Sequence, residues 1–156
     1  MKKWSTKPEM SLHHCISPPW HFWFVGLFYV LLNAVGAYDY IMTLEQNATY
    51  FRSQNYGDTQ IAYFTNYPLL PAIFWTIAVS SALAASILLL CLTLWAKLVA
   101  VIAVVSQLCL DLVTFGFLNR WHVFGARQSL FDLVILLLTI GLFLYSRSMS
   151  VRGVLR

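Results

Sequence analysis

Asp39, Asp111 and Asp132 each fall inside, or at the rim of, a stretch of nearly continuous apolar sequence. A carboxylate at the centre of a lipid-embedded helix costs roughly 2.5–3.5 kcal/mol, so each needs a partner. Two arrangements suit such groups. Carboxylates that face a polar solute or an ion make an intramembrane binding site, whereas carboxylates that face arginine make an ion-pair lock between helices. Arg120 and Arg127 lie in the same short connection as the approaches to Asp111 and Asp132, which keeps both readings open. No nucleophile–base pair, phosphate-cradling glycine loop or metalloprotease motif accompanies them, so neither an enzyme nor a cofactor is expected. His13, His14, Cys15 and His21 lack a metal-ligand spacing, and no metal site is expected either.

Spacing sharpens the pattern. Gln107, Asp111 and Thr114 fall at i, i+4 and i+7, on one helical stripe, and so do Gln128, Asp132 and Thr139 at i, i+4 and i+11. With about 1.5 Å of rise per residue, Asp111 sits about 10 Å below the end of its helix and Asp132 about 6 Å in from the other side of the turn. The two stripes are expected to face each other, and Asp111, the deeper, is the better candidate for handling a proton. Asn33, Gly36 and Tyr40 share a face of an earlier helix, with Asp39 beside them. Asn33 is expected to bond across helices, while Tyr38, Asp39 and Tyr40 either glue helices together or line an outward-facing pocket.

These residues need elements to hold them. The 156-residue chain is 60% hydrophobic and 10% charged, against about 25% charged in soluble domains. The apolar residues run in blocks with no amphipathic period, which identifies lipid as the solvent and partner. Four transmembrane helices are expected, over about 20–42, 69–95, 99–118 and 128–146, each near or above the ~20 residues that cross a bilayer. Backbone groups in lipid must be satisfied internally, so the class is all-α, an antiparallel four-helix bundle over 20–146. Residues 1–19 form a leader and 147–156 a tail. The long polar leader with its prolines makes the first span an anchor and not a cleaved signal peptide.

Charge sets the expected orientation. Lys2, Lys3, Lys7, Lys97, Arg147, Arg152 and Arg156 fall on one side, and Arg52, Arg120 and Arg127 on the other. The positive-inside rule then puts both termini in the cytoplasm. The basic residues form no stripe for a phosphate backbone, so nucleic acid is not expected as a partner. The outer loop, 43–68, is expected to form short interfacial helices over the mouth of the bundle. Ala78, Ala82 and Ser86 make a small-residue row that packs either inside the bundle or against another subunit, a homo-oligomer included.

The run Leu32-Asn33-Ala34-Val35-Gly36-Ala37-Tyr38-Asp39-Tyr40-Ile41-Met42-Thr43, followed by Tyr63-Phe64 and Pro68, resembles a family of small bacterial four-helix membrane proteins. Its members carry a Trp-Asn-x-x-Gly-Ala-x-Asp-Tyr-x-Met-Thr signature, and Leu32 stands here in place of the Trp. Some are labelled sugar transporters. The resemblance implies a bacterial inner membrane. The expected role is a multi-pass protein that binds or passes a small polar solute or ion, the alternative being an accessory subunit that packs against partner membrane proteins.

Overall fold

A computed structural model of the chain describes residues 17–156. Lys2, Lys3, Lys7, His13, His14 and Cys15 lie outside them. The described residues form six helices: α1 (Trp20–Leu44), α2 (Ala48–Ser53), α3 (Asp58–Thr65), α4 (Leu69–Leu90), α5 (Trp95–Gly116) and α6 (Arg120–Val151). Four of them, α1, α4, α5 and α6, are long and apolar enough to cross a membrane, and they pack as an antiparallel bundle in which each touches the next in chain order.

The bundle is built for lipid. Phe24, Leu31, Val35, Leu112 and Leu137 point outward, while small side chains fill the inside. The closest pair is α4 with α5: α4 buries Ala78, Ser81, Ala82, Ala85 and Ser86, and α5 buries Ala96, Ala100, Ala103 and Ser106. Small residues let helix backbones approach, which is how dispersion holds helices together where lipid removes the hydrophobic drive. The Ala78, Ala82 and Ser86 row is therefore consumed inside the bundle and is not available to a second subunit.

The helix ends differ from the expected spans. Pro19 and Pro68, both extended, set the starts of α1 and α4. The second span ends at Leu90, well short of Trp95, because the chain turns at Cys91–Leu94 with Leu92 left-handed at φ 60°. Lys97 consequently lies in the first turn of α5 and not in the connection. A leucine in that conformation is costly, and the chain's last residues hold it there. The Arg156 N–H donates to the Leu92 carbonyl at 2.6 Å, and the Arg156 carbonyl accepts from Leu94 N–H at 2.8 Å.

The expected tail is likewise part of the bundle. α6 continues to Val151, and Val154 and Leu155 are buried with Phe22, Leu89, Ala96 and Met149. Because Phe22 belongs to α1, the start of that helix and the last residues share one end, which is closely packed.

Candidate functional site

The other end of the bundle is polar, and α2 and α3 form a lid over it. Asn47 starts α2 by accepting the Tyr50 N–H at 3.0 Å. Gln60 clips the lid to α6: its Oε1 accepts the Gly57 N–H at 3.0 Å while its Nε2 donates to the Val123 carbonyl at 2.8 Å. Aromatic rings fill the space beneath. Phe51 stacks on Phe64, Phe64 on Trp75 of α4, and Tyr56 and Tyr63 meet Phe124 edge-on. The tyrosines sit there because one edge of each ring is apolar and the other needs a polar neighbour.

Those neighbours centre on Arg120. Its Nε donates to Asp132 Oδ2 at 2.5 Å and its Nη2 to Oδ1 at 3.2 Å, a bidentate pair. The same guanidinium lies 4.9 Å from the centroid of the Phe124 ring. In an unbroken helix, residues 120 and 132 would stand about 18 Å apart along the axis, far beyond side-chain reach. They meet because α6 is broken at Gly125, whose φ of 72° and ψ of 178° fold residues 120–124 back over the helix end. That region is open essentially to glycine alone.

The other two carboxylates make no bond to that guanidinium and have partners of their own. Asp39, on α1, accepts a short hydrogen bond from the Tyr50 hydroxyl of the lid, and both Arg120 and Asp132 lie within electrostatic reach of it. Asp111, on α5, accepts from Gln107 Nε2 at 3.1 Å through Oδ1. Its Oδ2 is buried with no hydrogen-bond partner among the described residues, and Asp132 and Arg120 are again within reach. Of the three carboxylates, Asp132 alone bonds the arginine.

Below Asp111, a cavity of about 60 Å³ opens between the four helices, lined by Tyr29, Asn33, Gln107 and Thr139 among apolar neighbours. A water molecule needs roughly 10–15 Å³ of such space and two or more polar partners, so the cavity suits a few waters. Towards the packed end it is closed by Leu142, against Ala85 and Leu89.

The structure corrects several expected placements. Arg127 is exposed and makes no ion pair among the described residues, the Arg120–Asp132 bridge being the one found there. The Gly125 fold turns Arg120 inward and leaves Arg127 beyond it. Asp132 bonds Arg120, the ion-pair arrangement of the two expected, and also lies within electrostatic reach of Asp111. Gln128, half-buried, makes no side-chain hydrogen bond among the described residues. Asn33 does not bond across helices: its Nδ2 returns to the Tyr29 carbonyl of its own helix at 2.9 Å, and its side chain lines the cavity. Tyr38 is exposed with its ring against Tyr50. Tyr40 leaves the cluster altogether, its hydroxyl 2.7 Å from Thr76 Oγ1 on α4. Tyr50, Gln60 and Gly125 are the residues that sequence reasoning passed over. For Gly125 alone a signal existed, a glycine in the expected connection just ahead of the 128–146 span, where a backbone conformation closed to other residues is readily adopted.

Lid burial makes a pH-dependent prediction. Burial and the nearby Asp39 carboxylate push the Tyr56 hydroxyl up to about 12; burial raises Tyr50 and Tyr67 as well. The folded lid favours the neutral phenol, so its contribution is complete below the ordinary tyrosine value of about 10 and is lost as pH climbs through about 12. Alkaline titration followed by tyrosinate absorbance is expected to show lid opening in that window, and Tyr56→Phe to make the loss shallower. An unchanged profile in Tyr56→Phe would refute the assignment.

The chain matches no family model, no curated protein and no solved structure.

Proposed function

We propose that this protein is a multi-pass inner-membrane protein that binds a small cation at the lid end of its bundle and carries it, rather than forming an open pore. The carrying observation is the charge balance at the lid end: Asp132 is paired with Arg120, while Asp39 and Asp111 have no ion pair and Asp111 Oδ2 has no hydrogen-bond partner among the described residues. In a low-dielectric setting that excess of negative charge attracts a cation. The cavity supports an ion over a sugar, because about 60 Å³ is far below the roughly 300–1,000 Å³ of pockets that enclose small organic molecules. The apolar cluster of Phe22, Ala85, Leu89, Leu142 and Met149 beyond the cavity supports a carrier over a channel, since release on that side requires the helices to rearrange.

Orientation follows the same reading. Lys97, Arg147, Arg152 and Arg156 belong to the packed end, while at the lid end Arg120 is neutralised by Asp132, which leaves Arg52 and Arg127 there. The net basic bias supports a cytoplasmic packed end and an outward-facing lid.

Uptake of sodium, potassium and protons by proteoliposomes under an imposed gradient tests the proposal. Flux above that of empty vesicles, reduced at least tenfold in Asp111→Asn with an unchanged melting temperature, is the expected result. No flux, with Asp111→Asn lowering only the melting temperature, would favour a second reading. The bidentate Arg120–Asp132 pair specifically supports that reading, in which the cluster locks helices of an accessory subunit.

A further inference from the structure

The cation-site reading leaves open which cation, and the surroundings of Asp111 bear on it. The Asp111 side chain is only 8% exposed and one of its oxygens has no hydrogen-bond partner among the described residues. A metal ion at that oxygen would need several more oxygen ligands, six or so for a hard cation. The fold does not bring them. No three acidic, histidine or cysteine side chains among the described residues approach closely enough to share a metal. The helix carrying Asp111 runs unbroken from Trp95 to Gly116, so its carbonyls around the site are held in the helix ladder. A proton, by contrast, needs one oxygen.

We infer that the cation is a proton, held on Asp111 Oδ2 and exchanged with water in the cavity beneath Gln107. The exchange is simple and balanced: hydronium in the cavity gives its proton to the carboxylate and leaves as water, and the reverse step restores it. Gln107 is suited to both states. It lines the cavity and touches Asp111, and its amide N–H₂ donates to Oδ1, which can accept that bond both in the carboxylate and in the acid protonated on Oδ2. The charged and titratable groups facing Asp111 are Asp132 and Arg120 from α6 and Tyr67 from the α3–α4 connection. The helix packed most closely against α5, α4, carries none. Asp132 is engaged by Arg120 and Asp39 by Tyr50, which leaves Asp111 as the carboxylate free to trade its proton.

A hydrophobic carbodiimide, which reacts with protonated carboxyl groups in apolar surroundings, distinguishes the three aspartates without any mutation. The full-length protein in phosphatidylcholine vesicles is treated with dicyclohexylcarbodiimide at neutral pH, and the adducts are mapped by peptide mass spectrometry. Asp111 is expected to carry the dominant adduct, at least tenfold over Asp39 and Asp132. The infrared band of a protonated carboxyl is expected to vanish in Asp111→Asn and persist in Asp132→Asn. Folded protein with Asp111 unlabelled overturns the inference. If sodium or potassium uptake then persists, the cation site survives and only the proton assignment falls. A labelled Asp111 without flux of any cation leaves the protonated site standing and removes the carrier reading.

Discussion

Arg120→Met is expected to destabilise the bundle by about 3–5 kcal/mol, the cost of leaving one member of a buried ion pair without its partner. Both side chains are well shielded, 15% and 16% exposed, so water cannot replace the guanidinium cheaply. The loss extends beyond Asp132. Asp39 and Asp111 also lie in the field of Arg120, and Phe124 loses the cation above its ring. Thermal unfolding in detergent measures the effect. Arg120→Met combined with Asp132→Leu is expected to recover most of the stability, because an apolar pair of similar volume often replaces a buried ion pair without penalty. A single variant as stable as the parent would show that the pair contributes nothing and that the lid is held by its aromatic contacts alone.

The second large effect comes from a position that touches nothing. A Cβ on Gly125 would meet open space, yet Gly125→Ala is expected to cost about 1–3 kcal/mol of backbone strain. If the chain relieves that strain by straightening, Arg120 swings away from Asp132 and the ion pair is lost as well. Gly125→Ala and Arg120→Met should then be strongly non-additive, since both remove the same interaction. Melting temperatures of the two single variants and the double variant close the cycle. Simple additivity would refute the claim that the break at Gly125 exists to deliver Arg120.

The two variants also separate stability from site chemistry. Gly125→Ala keeps every charge and changes only where Arg120 is held, whereas Arg120→Met changes the charge balance directly. Cation uptake lost equally in both would mean that the position of the guanidinium matters as much as its presence. Uptake lost only in Arg120→Met would assign the effect to charge.

Much of this architecture was legible before any coordinates, and the reason is the solvent. In lipid the backbone must satisfy itself locally, so block hydrophobicity alone dictates four helices and leaves the 43–68 segment outside them. An up-and-down run of four spans makes antiparallel neighbours, which brings the lid ends of α1, α4, α5 and α6 together and with them Asp39, Asp111, Asp132 and Arg120. None of that depends on any single side-chain contact. The boundaries were less legible, because the α4–α5 turn rests on a left-handed Leu92 held by the Arg156 backbone, a contact across more than sixty residues.

The partners were decided only by the tertiary structure. Arg120 and Arg127 look equivalent in sequence, and one torsion pair at Gly125 selects the first. Asp39 finds Tyr50 because α2 docks where it does, and Asn33 returns to the Tyr29 carbonyl of its own helix although Gln107 and Thr139 line the same cavity. Small residues at Ala78, Ala82 and Ser86 announce a close approach without saying to what, and packing against α5 answers it. Local composition settles which segments leave water, since that free energy adds residue by residue; which polar groups then meet depends on side-chain geometry at a few ångströms, which only the packed chain defines.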